Sequence, residues 1–590
     1  MKTNLTREEF TALSCLYDAQ QGRTPVFSEY YLNDTAEKKW VLDALTDKGL
    51  VDAQFGSITQ AGLEALEPYR VERAVILAAG QSPRCVPLSL EIPKGLFEVK
   101  GETLIERQIK QLHEEGIRDI TLVLGYKKEM FYYLRQELGV RIIENPEYAS
   151  KSNIQSLLLA KEHLNNAYVC SCDDYFAENP FHSFEYESFY AGIHVDGPTD
   201  EMYVYLDEDS RIIKMRTGLS KGLVLLGHSF WRSDFARRFI ALAEDAFAAG
   251  KRTGDFWEWL VKDHLDEMPP FFFKRYANRA IVEVESFDEL RRFDSGYVKH
   301  SHSRIVENIC RVFRCGEADI VDFRNIFEGM TNRSFLFRVG GREYIYRHPG
   351  DGTDQIISRE NERTSLEKAR EFGIDPTYIY MDTREGWKVS AFVPEFREPD
   401  YESPADSRQV VDLLRKLHAL PVRLDYGLQP WEDAVVLERL VEEKRPGAFA
   451  PFLPLKEKIG ALYERTLGDG VEKCFCHGDT YRHNWMLLPD GGVLLIDWEY
   501  AGFADPGIDV GYYIVDAMYD FDRAEEFIRM YLGKNDTPDR RFHFMAYTAI
   551  IAYYWFVWSL YRESCGAVIG EAMENWHFMA EKYADHMLCQ

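Results

Sequence analysis

Two sets of residues, about 400 positions apart, have the types and spacing that phosphate chemistry requires. The first is Leu77-Ala78-Ala79-Gly80, followed by Arg84, Pro87 and Pro93-Lys94. The apolar run Ala74–Ala78 predicts a buried strand, and a glycine directly after it lets backbone N–H groups approach a phosphate. Leu77, Ala78, Ala79 and Gly80 are therefore nucleotide-binding candidates. Arg84 and Lys94 supply fixed positive charge where an α-phosphate would gain negative charge, which makes them catalytic candidates. The second set is His477-Gly478-Asp479, then Asn484, then Ile496-Asp497 at the end of an apolar run. In that arrangement Asp479 orients a substrate hydroxyl or accepts its proton, while Asn484 and Asp497 offer oxygen ligands to Mg²⁺ on ATP phosphates. The second chemistry makes a phosphomonoester and the first consumes one. Consecutive steps of one pathway are the first expectation.

A kinase centre also needs a cover for the phosphates and a cation with an acidic partner. Glu328-Gly329-Met330-Thr331-Asn332 reads as the covering turn, with Thr331 and Asn332 as nucleotide-binding candidates. Arg347, ending Tyr344-Ile345-Tyr346-Arg347, is the candidate cation; Glu362, on a helix starting near Ser358, is its partner, with Glu360 the alternative. Trp555 and Trp558 are three apart and share one helical face. They read either as core packing or as ring faces for a quaternary ammonium group, which has no N–H to donate.

The elements that must position these groups need more than one core. At 590 residues, three to four domains are expected. A hydrophobic fraction of 46% excludes disorder. The net charge of −27 argues against nucleic-acid and anionic-membrane partners, so anionic substrates must be drawn in by local cations. Ten cysteines show no CxxC pair. Cys474 and Cys476 lie two apart, but no His/Cys pair stands at zinc spacing, so they read as reduced thiols in a cytoplasmic protein. Met1 leads into a polar amphipathic segment, which predicts no signal peptide. The most apolar late run, Ala546–Leu560, is too short to span a membrane.

The fold expected is multidomain α/β in three parts. Residues 1–70 read as a winged helix-turn-helix-like unit: a helix with Leu13, Leu16 and Tyr17 on its apolar face, a second presenting Trp40, Leu42 and Leu45, a hairpin over 51–59 and a last helix. Its 7 Lys/Arg against 11 Asp/Glu favour docking, regulation or homo-oligomer assembly over DNA binding. Residues 71–298 alternate strands and helices, which predicts a Rossmann-like domain with a mainly parallel sheet. After a polar linker near 299–304, residues 303–590 read as a protein-kinase-like, two-lobed domain.

The first motif set resembles the sugar-nucleotide pyrophosphorylase superfamily, with Ser82 standing where a second glycine is usual. That resemblance implies Mg²⁺ held by Asp173, in Cys172-Asp173-Asp174, and by Glu283 and Glu285, in Ile281–Ser286. Within the superfamily, Val123–Tyr126, Asn145–Tyr148, Ser152–Ile154, Ser229–Trp231 and Asp255–Glu258 resemble bacterial CTP:phosphocholine cytidylyltransferases. A choline pocket near Phe256, Trp257 and Glu258 is implied. Where that family places an acid before tryptophan, this chain has Glu201-Met202-Tyr203. From Phe327 to about Tyr561 the chain resembles choline/ethanolamine kinases, a branch of the aminoglycoside-phosphotransferase-like kinases, in which arginine replaces the usual lysine at Arg347. This implies a choline box from Asp516 and Phe521 with Trp555 and Trp558. The expectation is a bifunctional enzyme using choline, phosphocholine, ATP and CTP with Mg²⁺ at both sites. Its rivals are a sugar kinase fused to a sugar-1-phosphate nucleotidyltransferase, and a ligand-sensing regulator on a winged helix.

Overall fold

The structure, a computed structural model, describes residues 5–22, 35–52, 54, 56–326, 332–350, 357–567 and 569–589. The chain divides into two compact units, Met1–Asp319 and Ile320–Gln590. The division falls after the expected linker, because the helix Arg304–Phe313 is anchored to the first unit. The Glu91 carboxylate accepts from the Arg304 amide at 2.9 Å, and Glu317 accepts from the Ser301 amide at 2.8 Å.

In the first unit, helix Arg7–Gln20 starts at a Thr6/Glu9 capping box. Helix Thr35–Asp47, the antiparallel pair Val51–Asp52 and Ser57–Ile58, and helix Gln60–Leu66 follow. Of the apolar face expected for the second helix, Leu45 is buried with Val41, one turn apart. Trp40 and Leu42 point outward instead, Trp40 being 68% exposed, since each step rotates the face by about 100°. This segment is not a separate body. Its core takes in Phe184, Tyr69 stacks on Tyr186 at 5.4 Å, and Phe10 lies 5.1 Å from Tyr69.

The catalytic part is built on a nine-stranded sheet. Its central strand, Arg73–Ala78, runs parallel to Asp119–Leu124 on one side and Ala167–Ser171 on the other, with Arg141–Glu144 beyond. Val75 and Ile76 are fully buried on opposite faces, as a strand covered on both sides requires. Strand Lys221–Trp231 then runs antiparallel to Ala167–Ser171 and pairs with Phe189–Asp196. A short ribbon, Asp174–Phe176 with Ile281–Glu283, sets Glu283 opposite Asp174. The loops at the C-terminal ends of the parallel strands and this ribbon surround one cavity.

The second unit begins with five antiparallel strands in the order Ile320–Ile326, Arg333–Val339, Arg342–His348, Lys388–Ala391, Tyr378–Met381, with helix Arg359–Glu371. Helices make up most of the remainder, around the 27-residue helix Pro538–Ser564. That helix is buried without interruption from His543 to Ser559, so it is the axis of this core. Two small antiparallel ribbons, Cys474–Cys476 with Gly502–Ala504 and, between them in the chain, Trp485–Leu487 with Val493–Leu495, carry the catalytic loops. Among the described residues no helix is long and apolar enough to cross a membrane.

Candidate active sites

In the first unit Leu77–Arg84, Lys94, Asp173, Glu201, Glu258, Glu283 and Glu285 line a cavity of about 580 Å³. Lys94 is nearly buried, and its ammonium lies 2.6 Å from Asp173 and 3.9 Å from Glu283. Burial works against both charges, but each holds the other ionised: Lys94 is raised and the Asp173 carboxyl held below its usual range. Arg84 is 60% exposed at the rim, 3.2 Å from Glu285. Ser82 adopts a left-handed conformation (φ 49°), the reason a glycine suits that position.

The acids crowd together. Carboxylate oxygens of Glu201, Glu283 and Glu285 lie within 4.8 Å of one another. Burial and the neighbouring Asp173 and Asp174 raise Glu283; burial, then Glu285 and Glu258, push Glu201 up to about 7. An all-oxygen set whose members resist ionising side by side fits a hard divalent cation such as Mg²⁺. Sequence reasoning noted Glu201 only as a departure; its place among the acids comes from the sheet.

The three residues implied for choline separate. Trp257 is buried, stacked on Tyr190 at 5.2 Å and edge-on to Trp231 at 5.0 Å. It packs into the core on these rings and still contributes to the cavity lining. Phe256 stands 60% exposed at the cavity wall. Glu258 is the half-buried acid of the cavity wall, accepting from the Tyr190 hydroxyl at 2.9 Å, and desolvation pushes it up to about 7.

In the second unit Asp479, Asn484 and Asp497 converge. The Asn484 side-chain amide donates to the Asp479 carboxylate at 3.0 Å and to its carbonyl at 2.8 Å, leaving the Asn484 side-chain oxygen as an acceptor. Burial, then Asp497 and Glu499, raise Asp479 well above the usual range and so raise its proton affinity. Gly478 (φ 86°) is required, since a Cβ there would sit 2.5 Å from the Tyr500 carbonyl. Asp497 also has positive φ (67°), a strained conformation of the kind found at functional sites.

Arg347 lies 2.7 Å from Glu362 and 3.0 Å from Asp497. Glu362, not the exposed Glu360, is the partner: helix Arg359–Glu371 turns it inward, where Arg359 also reaches it at 2.9 Å. Lys388, on the adjoining strand, adds a second cation 3.2 Å from Asp497. Against burial, Lys388 and Arg347 hold the Asp497 carboxyl below its usual range. Glu499 completes a cluster in which oxygens of Glu362, Asp497 and Glu499 lie within 4.8 Å, and Asn332 donates to Glu499 at 3.3 Å. Thr331 lies outside the described residues. Lys388 and Arg359 gave no signal in the sequence. Glu499 gave no periodic signal either, since the strand ends at Leu495 and Asp497 turns the chain at positive φ.

The proposed box is reached only in part. Trp555 and Trp558 are buried against each other (5.4 Å), with Trp555 stacked on Tyr512 and edge-on to Tyr500, both at 5.0 Å. Burial and then Asp479 raise the Tyr512 hydroxyl; burial, Glu499, Tyr554 and then Asp479 raise that of Tyr500. Asp516 instead anchors the loop, accepting from the Tyr401 hydroxyl and, at 2.8 Å, the Arg482 amide. Phe521 stacks on His586 at 3.7 Å and edge-on to Tyr583, as part of helix packing.

Sequence reasoning missed Asp509. Its carboxylate accepts from the His477 and Gly478 amides at 2.8 and 2.7 Å and pairs with His418 Nε2 at 3.0 Å; its carbonyl takes the Thr480 hydroxyl. One buried carboxylate thus sets the backbone that aims Asp479. The Asp505-Pro506-Gly507 turn before it was the available signal.

Residues 322–543 match the model of a phosphotransferase enzyme family, and residues 74–184 match the MobA-like NTP transferase domain. A choline-phosphate cytidylyltransferase from Streptococcus pneumoniae is 34% identical over 222 residues, covering 38% of this chain and 96% of the relative. Protein LicA from Haemophilus influenzae is 23% identical over 41% of this chain and 94% of the relative. This chain is also similar to the crystal structure of choline kinase LicA from Streptococcus pneumoniae, at 24% identity over 49% of this chain and 99% of that one, with a TM-score of 0.43.

Proposed function

We propose, from the premise that this chain belongs to the choline-phosphate cytidylyltransferase family, that it is a bifunctional transferase: choline and ATP give phosphocholine, which with CTP gives CDP-choline and pyrophosphate. The observation that carries the pairing is the presence on one chain of two complete phosphate-chemistry centres, Lys94–Asp173–Glu283 and Asp479–Asn484–Asp497. In the first reaction Asp479 accepts the proton of the choline hydroxyl, that oxygen attacks the γ-phosphorus of ATP, and the bond to the bridging oxygen breaks to release ADP. Arg347, fixed by Glu362, and Lys388 place positive charge beside the phosphates. In the second a phosphocholine oxygen attacks the α-phosphorus of CTP and pyrophosphate leaves. Lys94 stabilises the charge that gathers on the α-phosphate, and no covalent enzyme intermediate is needed.

Mg²⁺ suits both acid clusters, where it would neutralise phosphate charge; Asp173, Glu283 and Glu285 would hold it in the first unit, Asn484 and Asp497 in the second. For the trimethylammonium group the cytidylyl site offers the Glu258 carboxylate beside Tyr190 and Phe256, and the kinase site offers the rings around Trp555 and Trp558 close to Asp479. A sugar would call for hydrogen-bonding side chains there instead. The N-terminal segment, packed on Phe184 and Tyr186, serves docking or regulation in this reading. The test is one incubation with choline, ATP, CTP and Mg²⁺, with products read by mass. CDP-choline with pyrophosphate and ADP is expected; a sugar nucleotide formed in preference from sugar substrates would overturn the reading.

A further inference from the structure

The strand that delivers the catalytic loop carries donors that neither transfer step uses. Cys474 and Cys476 are two apart on a strand, so both side chains leave one face, and their sulfurs are 3.6 Å apart. Helix Pro404–His418 brings His418 to the same face. One donor atom from each of the three residues lies within 4.8 Å of the other two. Cys476 is buried and Cys474 half-buried, so the cluster opens to solvent at Cys474.

His418 is already oriented as a ligand would be. Its Nε2 lies 3.0 Å from the Asp509 carboxylate and its Nδ1 2.7 Å from the Tyr531 hydroxyl. The carboxylate assigns the N–H to Nε2, which leaves the Nδ1 lone pair to accept from Tyr531. A carboxylate on the far nitrogen is the arrangement that fixes metal-bound histidines. Asp509 meanwhile holds the His477 and Gly478 amides, and His477 follows Cys476 directly. The three donors and the catalytic loop therefore form one connected unit.

We propose that His418, Cys474 and Cys476 form a binding site for a thiophilic divalent cation of the zinc class, separate from the oxygen-ligand sites of both transfer reactions, which braces the loop bearing Asp479. Two sulfurs and one imidazole select zinc over Mg²⁺, so the Mg²⁺ needed by the chemistry does not compete. On binding, each thiol gives its proton to solvent and each thiolate donates an electron pair to the cation. His418 Nδ1 exchanges the Tyr531 hydroxyl for it, water from the open side fills the fourth position, and no electron is transferred.

The experiment uses the full chain, stripped with a chelator and kept in excess Mg²⁺, titrated with Zn²⁺ and with Co²⁺ as a spectroscopic probe. One site per chain, a thiolate-to-cobalt charge-transfer band, release of two protons per Zn²⁺ and a higher Tm are expected. Cys474→Ser, which leaves one thiolate, should weaken the band to about half at saturation and lose at least about a hundredfold in affinity, the upper end of what losing a mere supporting partner costs. Cys310→Ser, which breaks the other close thiol pair with Cys315, and Cys565→Ser with Cys589→Ser, which remove the exposed thiols, should keep the band and the affinity. Zn²⁺ should also protect Cys474 of the unaltered chain from alkylation, read by mass, which does not depend on the variants folding. A band of undiminished intensity and affinity in Cys474→Ser, or alkylation of Cys474 unchanged by Zn²⁺, overturns the proposal.

Discussion

Replacing Asp509 isolates the positioning of Asp479 from the chemistry Asp479 performs. In Asp509→Asn one oxygen remains for one backbone amide, and the new NH₂ group faces the other, so one buried N–H loses its acceptor. Leaving such a group unsatisfied costs about 1–3 kcal/mol, and Asp509→Ala, which strands both amides, about twice that. Against a domain stability of about 5–15 kcal/mol the Asn variant stays folded. If the cost falls on the loop conformation, the competent fraction drops by about 5- to 150-fold. The burial of Asp509 opposes its ionisation, but His418, His477 and the backbone amides hold its carboxyl below the usual range, so the wild-type group is an anion and the Asn variant also loses that charge. The assay is choline phosphorylation, reading kcat and the KM values for choline and ATP, with CDP-choline formation from added phosphocholine as an internal control on the same chain. A kcat loss in that range with the second activity intact is expected. Unchanged kcat, or parallel loss of both activities, would refute the assignment of Asp509 as a positioning residue.

Asp479→Ala should abolish phosphocholine formation and spare cytidylyl transfer, and Lys94→Ala should do the reverse, losing about 10²–10³ in rate; loss of both activities in either folded variant defeats the two-centre reading. Because Glu258 is pushed up to about 7 and only its ionised form attracts an ammonium group, the KM for phosphocholine should fall as pH rises through about 7 and level off above it. Glu258→Gln should flatten that dependence, and an unaltered profile would remove Glu258 from the pocket. Ser82→Gly relieves a left-handed conformation worth about 1–2 kcal/mol for a non-glycine residue, so kcat/KM for CTP should hold or improve, and a tenfold loss would mean the hydroxyl is needed. Trp558→Leu should raise the choline KM by up to roughly thirtyfold, the worth of a cation–π contact of about 2 kcal/mol, and leave the KM for ATP unchanged. Equal damage to both substrates with a lower Tm would make Trp558 a core residue only.

What the residues alone determined were the groups bound to local pattern. The glycine after Ala74–Ala78, the Lys94 and Asp173 charges, and the Asp479–Asn484–Asp497 spacing are short-range features tied to strand ends, and the strands formed where apolar runs placed them. The 3.6-residue period also gave the first helix its Leu13 face, though it put Trp40 and Leu42 on the wrong side of the second. Only the tertiary structure decided which distant groups meet. Strand pairing sets Lys388 opposite Arg347, where it reaches Asp497; Glu201 and Glu283 meet on the cavity both line; and Asp509 reaches His477 from the helix Gly507–Asp516. None of these pairs has a characteristic spacing, since the chain between them is free to vary in length. The same reason sent Phe521 to His586 and stacked Trp257 on Tyr190: an aromatic residue goes where area is buried, and its type alone does not say against what. Cys474 and Cys476 looked like ordinary core thiols until His418 arrived from another helix, a meeting that burial of the whole second unit enforces.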